Sequence, residues 1–347
     1  MINSILILVK SEFFDIFSFR LEYKRVKLVE ITKLYELMEK FIKDQVLDKV
    51  LAFLPKTISD KKLDEIYSFL EKKYPLGEDP WGLSLKKSKL AMKYSYPLFK
   101  HYFKVRVIGK EKIENKPYMI VSNHTGQIAI DGMLVTGAFI LDLPEPRIVR
   151  AMVERFVGTI PFFGSFAMAN GAVLGDRANC YHLLKRGESI LVFPEGVQGV
   201  AKSTSDYYKL QNFTSGFFRM CLKTGTDILP IAVIGAEEFY PFVYQAKSLA
   251  RKLGLPALPL TPFFPLLGPL GIMPLPSPVD IIIGDPYPIP KDLSPDAPDK
   301  LIAEHVNKIE NTIRKLIADG RKNRRKFWGS LLLPEKIISG ESKKNGK

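Results

Sequence analysis

The sequence predicts an α/β fold in which a mostly parallel sheet is flanked by helices, and three observations support it. Short apolar, β-branched runs alternate with helical stretches from about residue 101 onward. This alternation is typical of strand–helix–strand units, whose crossover helices cover both faces of a parallel sheet. The chain has 347 residues, of which 46% are hydrophobic, so it can form one large domain with a complete core. Residues 1–100 lack the strand pattern and are interpreted as an N-terminal helical region.

The predicted helices of the N-terminal region cover about residues 29–54, 60–73 and 84–100. Since any packed helix needs one apolar face, the region forms either a cap on the main domain or an element that docks on a membrane. The apolar run at residues 5–9 is ended by Lys10 and is too short for a signal or a membrane span. We therefore expect no spanning helix.

The main domain is predicted to cover residues 101–328 and to be followed by a tail at 329–347. Its predicted strands are Phe103–Ile108, Tyr118–Val121, Ile148–Met152, Ala172–Leu174, Ile190–Phe193, Leu229–Ile234 and Val279–Ile283. Its predicted helices cover about residues 129–141, 176–186, 212–224, 236–251 and 297–319. In such sheets the functional residues lie at the carboxyl ends of the strands, where loops lead into helices.

The formal net charge of +14 favours an anionic partner, although solubility alone also explains such an excess. Basic and aromatic residues lie together after the last predicted helix: Arg321, Lys322, Arg324, Arg325, Lys326, Phe327 and Trp328. This combination suits an anionic bilayer surface. A cluster this dense could also bind nucleic acid, but no recognition fold accompanies it, so we predict no nucleic-acid partner.

An uncharged segment, residues 253–279, contains eight prolines and several large apolar side chains. It cannot form a membrane-spanning helix, because proline removes backbone donors and interrupts the helix. We expect this loop to cover an apolar groove, to dip into lipid, or to pack on the core of its own domain.

The first candidate motif is V-S-N-H-T-G-Q-I-A-I-D-G, residues 121–132, at the junction of a predicted strand and helix. His124 at the end of the strand could present a neutral imidazole to a cleft. Asp131 could bind its Nδ1 and leave Nε2 to accept a proton from a hydroxyl. On its own this pair is weak evidence, since a buried core histidine would show the same pattern.

The second candidate motif is L-V-F-P-E-G, residues 191–196, which places Glu195 and Gly196 at the end of another strand. Alone, it could be an ordinary solvated turn. Gly-x-Ser-x-Gly, Gly-x4-Gly-Lys and Gly-x-Gly-x-x-Gly are all absent, so a serine hydrolase or a nucleotide-binding enzyme finds no support. The four histidines and two cysteines show no metal-ligand spacing, and Cys180 and Cys221 are expected to be reduced core residues.

Together with G-A-V-L-G-D-R at 171–177 and I-L-P-I-A-V-I-G-A-E-E at 228–238, the two motifs form four ordered blocks. In this order they resemble the glycerolipid acyltransferase family, which includes glycerol-3-phosphate and 1-acylglycerol-3-phosphate (lysophospholipid) acyltransferases. The resemblance extends over about residues 79–328. Six residues separate His124 from Asp131, whereas the family usually has four. The six-residue spacing resembles that of a branch related to neutral-lipid acyltransferases. Gln198 also replaces the family's arginine.

The resemblance implies a glycerol-3-phosphate acyltransferase-like fold and a membrane-associated O-acyltransferase. The donor would be acyl-CoA or acyl carrier protein, and the acceptor a hydroxyl of a lysophospholipid or related glycerolipid. His124 would act as general base and Asp131 would orient it, without an acyl-enzyme or a cofactor. The implied acceptor-binding residues are Gly171, Arg177, Glu195 and Gly196. Backbone amides near Thr125 and Gly126 could stabilise the oxyanion.

Two alternatives stay open from the sequence. The basic surface favours a phosphate-bearing acceptor, whereas Gln198 favours a mono- or diacylglycerol acyltransferase that makes neutral lipid. A lipid-binding scaffold that has the fold without turnover is the other alternative. In each case we expect a peripheral or monotopic protein at the cytoplasmic face of an anionic membrane.

Overall fold

The computed structural model describes residues 57–125, 130–159, 163–240, 243–245, 259–260 and 274–325. Backbone contacts divide the chain into two units, Met1–Lys56 and Thr57–Lys347, and every described residue belongs to the second. The predicted helix at 29–54 and the C-terminal tail lie outside the described residues, as does most of the uncharged loop at 253–279.

Seven strands form one sheet, and two short strands form a separate ribbon. The sheet strands are β1 (Arg106–Ile108), β2 (Met119–Ser122), β3 (Val149–Val153), β4 (Val173–Leu174), β5 (Ser189–Val192), β6 (Ile228–Ile234) and β9 (Asp280–Ile283). The ribbon pairs β7 (Tyr244–Gln245) with β8 (Pro259–Leu260). The order of the sheet is β1-β9-β6-β2-β5-β3-β4, and only the pairing of β6 with β9 is antiparallel.

The predicted α/β class with a mostly parallel sheet is confirmed. Each of the seven predicted strands has a counterpart in the sheet, with ends shifted by a few residues. β2 lies at the centre, where Ile120 is paired with Leu191 of β5 and Leu229 of β6. All four residues of β2 are buried. A strand buried on both faces is continuously apolar, which explains why such strands could be predicted from apolar runs in the sequence.

Eight α-helices are described: α1 (Asp60–Lys73), α2 (Leu85–Pro97), α3 (Ile130–Leu141), α4 (Phe163–Ala169), α5 (Arg177–Lys185), α6 (Val197–Val200), α7 (Gly216–Thr224) and α8 (Asp299–Lys322). The short helices α4 and α6 were not predicted. α8 packs along β6 and buries one apolar stripe: Ile302, Val306, Ile309, Ile313 and Ile317. This spacing of three and four residues is that of a helix with one face on a core. Within the described residues, no helix combines the length and the apolarity needed to cross a membrane.

The predicted helix at about 236–251 is wrong over its described residues. Glu237–Phe239 forms a single 3₁₀ turn, and Tyr244–Gln245 is a strand. The side chains of Glu237 and Glu238 are both buried and bind different cations, Lys202 and Arg324, which favours a tight turn at this point. Pro241 then lacks the amide hydrogen that would continue a helix.

Within the C-terminal basic cluster, Arg324 is buried and Arg325 is partly buried. The Arg324 guanidinium is buried and donates to both oxygens of Glu238 at 2.8 Å. Arg325 donates to the backbone oxygens of Lys104 and Val279 at 2.8 Å. The two arginines therefore fix the end of α8 to the sheet. Residues 326–328 lie outside the described part of the chain.

The two cysteines are buried and unpaired. Burial raises the pKa of the Cys180 thiol to about 11 and also raises that of Cys221. A thiol with a raised pKa forms little thiolate at neutral pH and is therefore unreactive. Both side chains serve as small apolar residues of the core, as the sequence predicts.

Candidate active site

The two sequence motifs meet at one edge of the sheet because β2 and β5 are adjacent and parallel. Val121 of β2 is in register with Val192 of β5, so the residues that follow each strand emerge side by side. The amide side chain of Asn123 binds both backbone groups of Val233 in β6, at 2.8 and 3.0 Å. Asn123 therefore fixes the end of β2 between its two neighbouring strands, a role that the sequence did not indicate.

His124 and Asp131 are in direct contact, with 2.7 Å between Nδ1 and Oδ2. The Asp131 carboxylate is fully buried in the first turn of α3 and accepts three further bonds from described residues, one of them from the Thr125 hydroxyl at 3.2 Å. The Thr125 amide donates to Oδ2 at 2.7 Å, and the Gly132 amide donates to Oδ1 at 2.8 Å. An ionised carboxylate can only accept hydrogen bonds, so His124 Nδ1 must be the donor in its contact with Asp131. In the neutral imidazole, Nδ1 therefore carries the hydrogen and Nε2 carries the free lone pair.

The His124 ring stacks on Phe193, with 4.1 Å between ring centroids and 15° between planes. This contact and the bond to Asp131 restrict both the position and the rotation of the imidazole. The His124 side chain is still 12% exposed, so a substrate can reach it. Phe193 was predicted only as part of a strand, because an aromatic residue in a strand usually belongs to the core.

Glu195 is buried, and protein groups bind both oxygens of its carboxylate. Its Oε1 accepts from the backbone amide of His124 at 2.8 Å. Its Oε2 accepts from the backbone amide of Gln211 at 2.7 Å and lies 3.0 Å from Lys202 Nζ. Through these contacts Glu195 positions the backbone of His124, and its role in binding an acceptor stays a prediction.

The Thr125 amide is not available for the predicted oxyanion role, since it donates to Asp131. Gly126, the other predicted donor, lies outside the described residues. Gly196 adopts φ +55° and ψ −145° at the start of α6, a conformation that favours glycine and forms the predicted tight turn. Its role in binding an acceptor stays a prediction.

Gly171 and Arg177 flank the edge strand β4, which lies three strand positions from β2. Gly171 has φ +98°, and an added Cβ would lie 2.8 Å from Ile148 Cγ2, so packing and backbone conformation already explain this glycine. Its carbonyl oxygen accepts from the buried Arg150 at 3.0 Å. Arg177 is exposed at the first residue of α5, which follows the edge strand β4. Three strand positions separate β4 from β2, which corresponds to about 14 Å.

Gly199 packs against His124 with no room for a side chain, and replacing it with alanine is expected to disturb the site. An added Cβ would lie 2.6 Å from His124 Cβ and 2.9 Å from Glu195 Cβ, so one of these side chains must move. Since a displacement of about 1 Å can cost about 100-fold in rate, we expect Gly199→Ala to lower acyl-transfer activity by a factor of about 10–100. Enzyme assay and thermal unfolding would measure this.

Gly216→Ala is the matched control for Gly199→Ala, since an added Cβ at Gly216 meets nothing within 4 Å. Wild-type activity in a folded Gly199→Ala variant would show that the backbone of α6 yields without moving His124.

The described residues contain no group of three His, Cys, Asp or Glu side chains arranged to hold a metal ion.

Residues 104–234 match the sequence model of the family described as Acyltransferase. The match contains both the His124–Asp131 pair and Glu195, so the described site lies within the matched segment.

An uncharacterized protein of Mycobacterium tuberculosis strain H37Rv is 37% identical over 232 residues, which cover 65% of this chain and 64% of that protein. The alignment therefore spans slightly less than two thirds of that relative. A 1-acyl-sn-glycerol-3-phosphate acyltransferase of Chlamydomonas reinhardtii is 26% identical over 152 residues, covering 40% of this chain and 41% of its own. Diacylglycerol O-acyltransferase 1 of Schizosaccharomyces pombe is 24% identical over 243 residues, covering 63% of this chain and 69% of its own.

Among solved structures, the 1-acyl-sn-glycerophosphate acyltransferase of Thermotoga maritima aligns with a TM-score of 0.40 at 16% identity, covering 81% of this chain and 93% of its own. A similarity at this level carries no argument, and the fold assignment stands on the sheet itself.

Proposed function

We propose that the protein transfers a fatty acyl chain from a thioester donor to a hydroxyl of a glycerolipid. The observation that carries the proposal is the His124–Asp131 pair, in which Nδ1 is bound to a buried carboxylate within the segment that matches the acyltransferase family model. The donor is acyl-CoA or acyl carrier protein. The acceptor is a lysophospholipid or related glycerolipid.

In the proposed reaction, His124 Nε2 takes the proton of the acceptor hydroxyl as its oxygen attacks the thioester carbonyl. The new C–O bond forms, the C–S bond breaks, and the proton passes from the imidazole to the departing thiolate. Asp131 stabilises the imidazolium charge that develops. General-base catalysis of this kind contributes about 10²–10⁴-fold to the rate.

The acceptor class is supported by two kinds of relative, one named for acylation of 1-acyl-sn-glycerol-3-phosphate and one for acylation of diacylglycerol. Lysophospholipid is the first choice because of the net charge of +14. Diacylglycerol is the second candidate, because Gln198 stands where the resembling family carries an arginine. Both acceptors reside in membranes, and we propose that the protein acts at the cytoplasmic face of one.

The test is product formation from radiolabelled palmitoyl-CoA, repeated with palmitoyl-acyl carrier protein. The acceptor panel contains glycerol 3-phosphate, lysophosphatidic acid, other lysophospholipids, and mono- and diacylglycerol. We expect a labelled lipid with the wild type and none with His124→Ala, whereas His182→Ala, at an exposed histidine, should behave as the wild type.

Absence of product with every donor and acceptor would favour the scaffold without turnover. A product that persists in His124→Ala would show that another group is the base.

A further inference from the structure

We propose that Lys202 is a positioning residue that fixes the backbone of His124. This inference rests on the proposed role of His124 as the base. Lys202 belongs to none of the four sequence blocks, and nothing in its sequence surroundings distinguishes it from a surface lysine.

The ammonium group of Lys202 is enclosed by three acceptors. Nζ lies 3.1 Å from the His124 backbone oxygen, 3.0 Å from Glu195 Oε2 and 3.3 Å from Glu237 Oε1. The lysine side chain is 3% exposed, and those of Glu195 and Glu237 are 0% and 1% exposed. An ammonium group has three N–H donors, and these three acceptors, all on described residues, match that number.

The charges around Lys202 keep it protonated despite its burial. Burial by itself lowers the pKa of Lys202, but the negative charges of Glu237 and Glu195 raise that pKa above its usual value. Burial raises the pKa of Glu237 to about 7, and Lys202 opposes this rise. A protonated lysine at this place can donate to His124 over the whole physiological pH range.

Lys202 and Glu195 together hold both backbone groups of His124. The His124 amide donates to Glu195 Oε1 at 2.8 Å, and the His124 carbonyl accepts from Lys202. The lysine and the glutamate are themselves an ion pair, so a movement of one affects both backbone contacts. Asp131 and Phe193 restrict the ring, and Lys202 restricts the backbone from which the ring projects.

A role limited to neutralising two buried carboxylates is the competing explanation, and two variants separate it from positioning. Lys202→Arg keeps the positive charge but replaces the compact ammonium with a longer planar group. The double variant Lys202→Met/Glu237→Gln removes one cation and one carboxylate, so at a pH above the Glu237 pKa of about 7 the net charge of the cluster is unchanged. Glu237→Gln alone is the matched control, because it retains the bonds from Lys202 to His124 and Glu195.

The experiment measures kcat and KM for donor and acceptor, together with the ¹H–¹⁵N signal of the His124 ring. The chain has four histidines, so the spectrum of His124→Ala identifies that signal. For the double variant we expect kcat to fall by about 10–100-fold with KM within about twofold, and the His124 signal to shift or broaden. Lys202→Arg should also lower kcat and shift the His124 signal. Glu237→Gln should change both kcat and the His124 signal by less.

Folded variants with kcat within twofold of the wild type and an unshifted His124 signal would overturn the proposal. A rise in KM at constant kcat would also overturn it, since Lys202 would then act on substrate binding. If the double variant does not fold, Lys202→Arg decides the question because it keeps the buried charge. If the wild type transfers no acyl group, the proposed function fails, while the ring signal still tests the effect of Lys202 on His124.

Discussion

Replacing Asp131 with asparagine should lower the rate of acyl transfer by about 10²–10⁴-fold while the protein stays folded. The neutral amide cannot stabilise the imidazolium that forms during proton transfer. It also has one acceptor oxygen where Asp131 uses two, to accept from His124, Thr125 and Gly132. An amide NH₂ facing His124 Nδ1 would favour the tautomer with its hydrogen on Nε2, which cannot accept a proton.

The measurement is kcat with the acceptor found for the wild type, accompanied by circular dichroism and thermal unfolding. Asp299→Asn is the control, since it makes the same chemical change at an exposed residue of α8. A folded Asp131→Asn protein with a rate within threefold of the wild type would show that Asp131 does not support the base.

Replacing Arg324 with methionine should destabilise the protein by about 3–5 kcal/mol, because it leaves the buried carboxylate of Glu238 without its counterion. Urea unfolding would show this as a lower midpoint at a similar slope. Adding Glu238→Gln to Arg324→Met removes the unpaired charge and should restore part of the lost stability.

Lys322→Met is the control, since Lys322 is exposed and forms only a surface ion pair with Asp319. Its effect should stay within about 0.5 kcal/mol. Equal midpoints for Arg324→Met and Lys322→Met would show that water or another group replaces the guanidinium at Glu238.

The position of Arg324 and Arg325 also changes how membrane binding should be tested. Deleting residues 321–328 would remove exposed charge and the bonds that fix α8 to the sheet at once. Loss of binding to anionic vesicles would then not distinguish a missing surface from a disturbed fold. Lys322→Glu changes an exposed charge and leaves both arginines in place, so it is the sharper variant for sedimentation with vesicles.

The centre of the sheet could be predicted from the sequence because its strands are buried on both faces and are therefore apolar. β2 and β6 are continuous runs of this kind. The contact of His124 with Asp131 was expected from the strand-to-helix junction. The turn at Glu237 was not, because its cause is the burial of two neighbouring acids against cations from distant parts of the chain.

In the candidate site, too, the roles of residues depend on contacts between distant parts of the chain and could not be predicted from the sequence. The sequence placed Glu195 at the end of a strand, but its orientation toward the His124 amide depends on the adjacency of β2 and β5 and on Lys202. The sequence around Lys202 does not reveal that its side chain points inward. Nor does the sequence around Gly199 reveal that a Cβ added there would lie 2.6 Å from His124 Cβ. Burial of a charged side chain is a tertiary property, and a lysine preceded by alanine and followed by serine has no periodicity that reveals it.

The antiparallel strand β9, between β1 and β6, has a consequence for synthesis on the ribosome. β1 is made early, but its neighbour in the sheet follows about 170 residues later in the chain. Until β9 emerges, β6 has an unpaired edge, and its apolar face lacks α8 until residues 299–322 follow. An unpaired apolar edge invites intermolecular strand pairing, so nascent chains that stall before residue 280 should depend on chaperones to avoid aggregation.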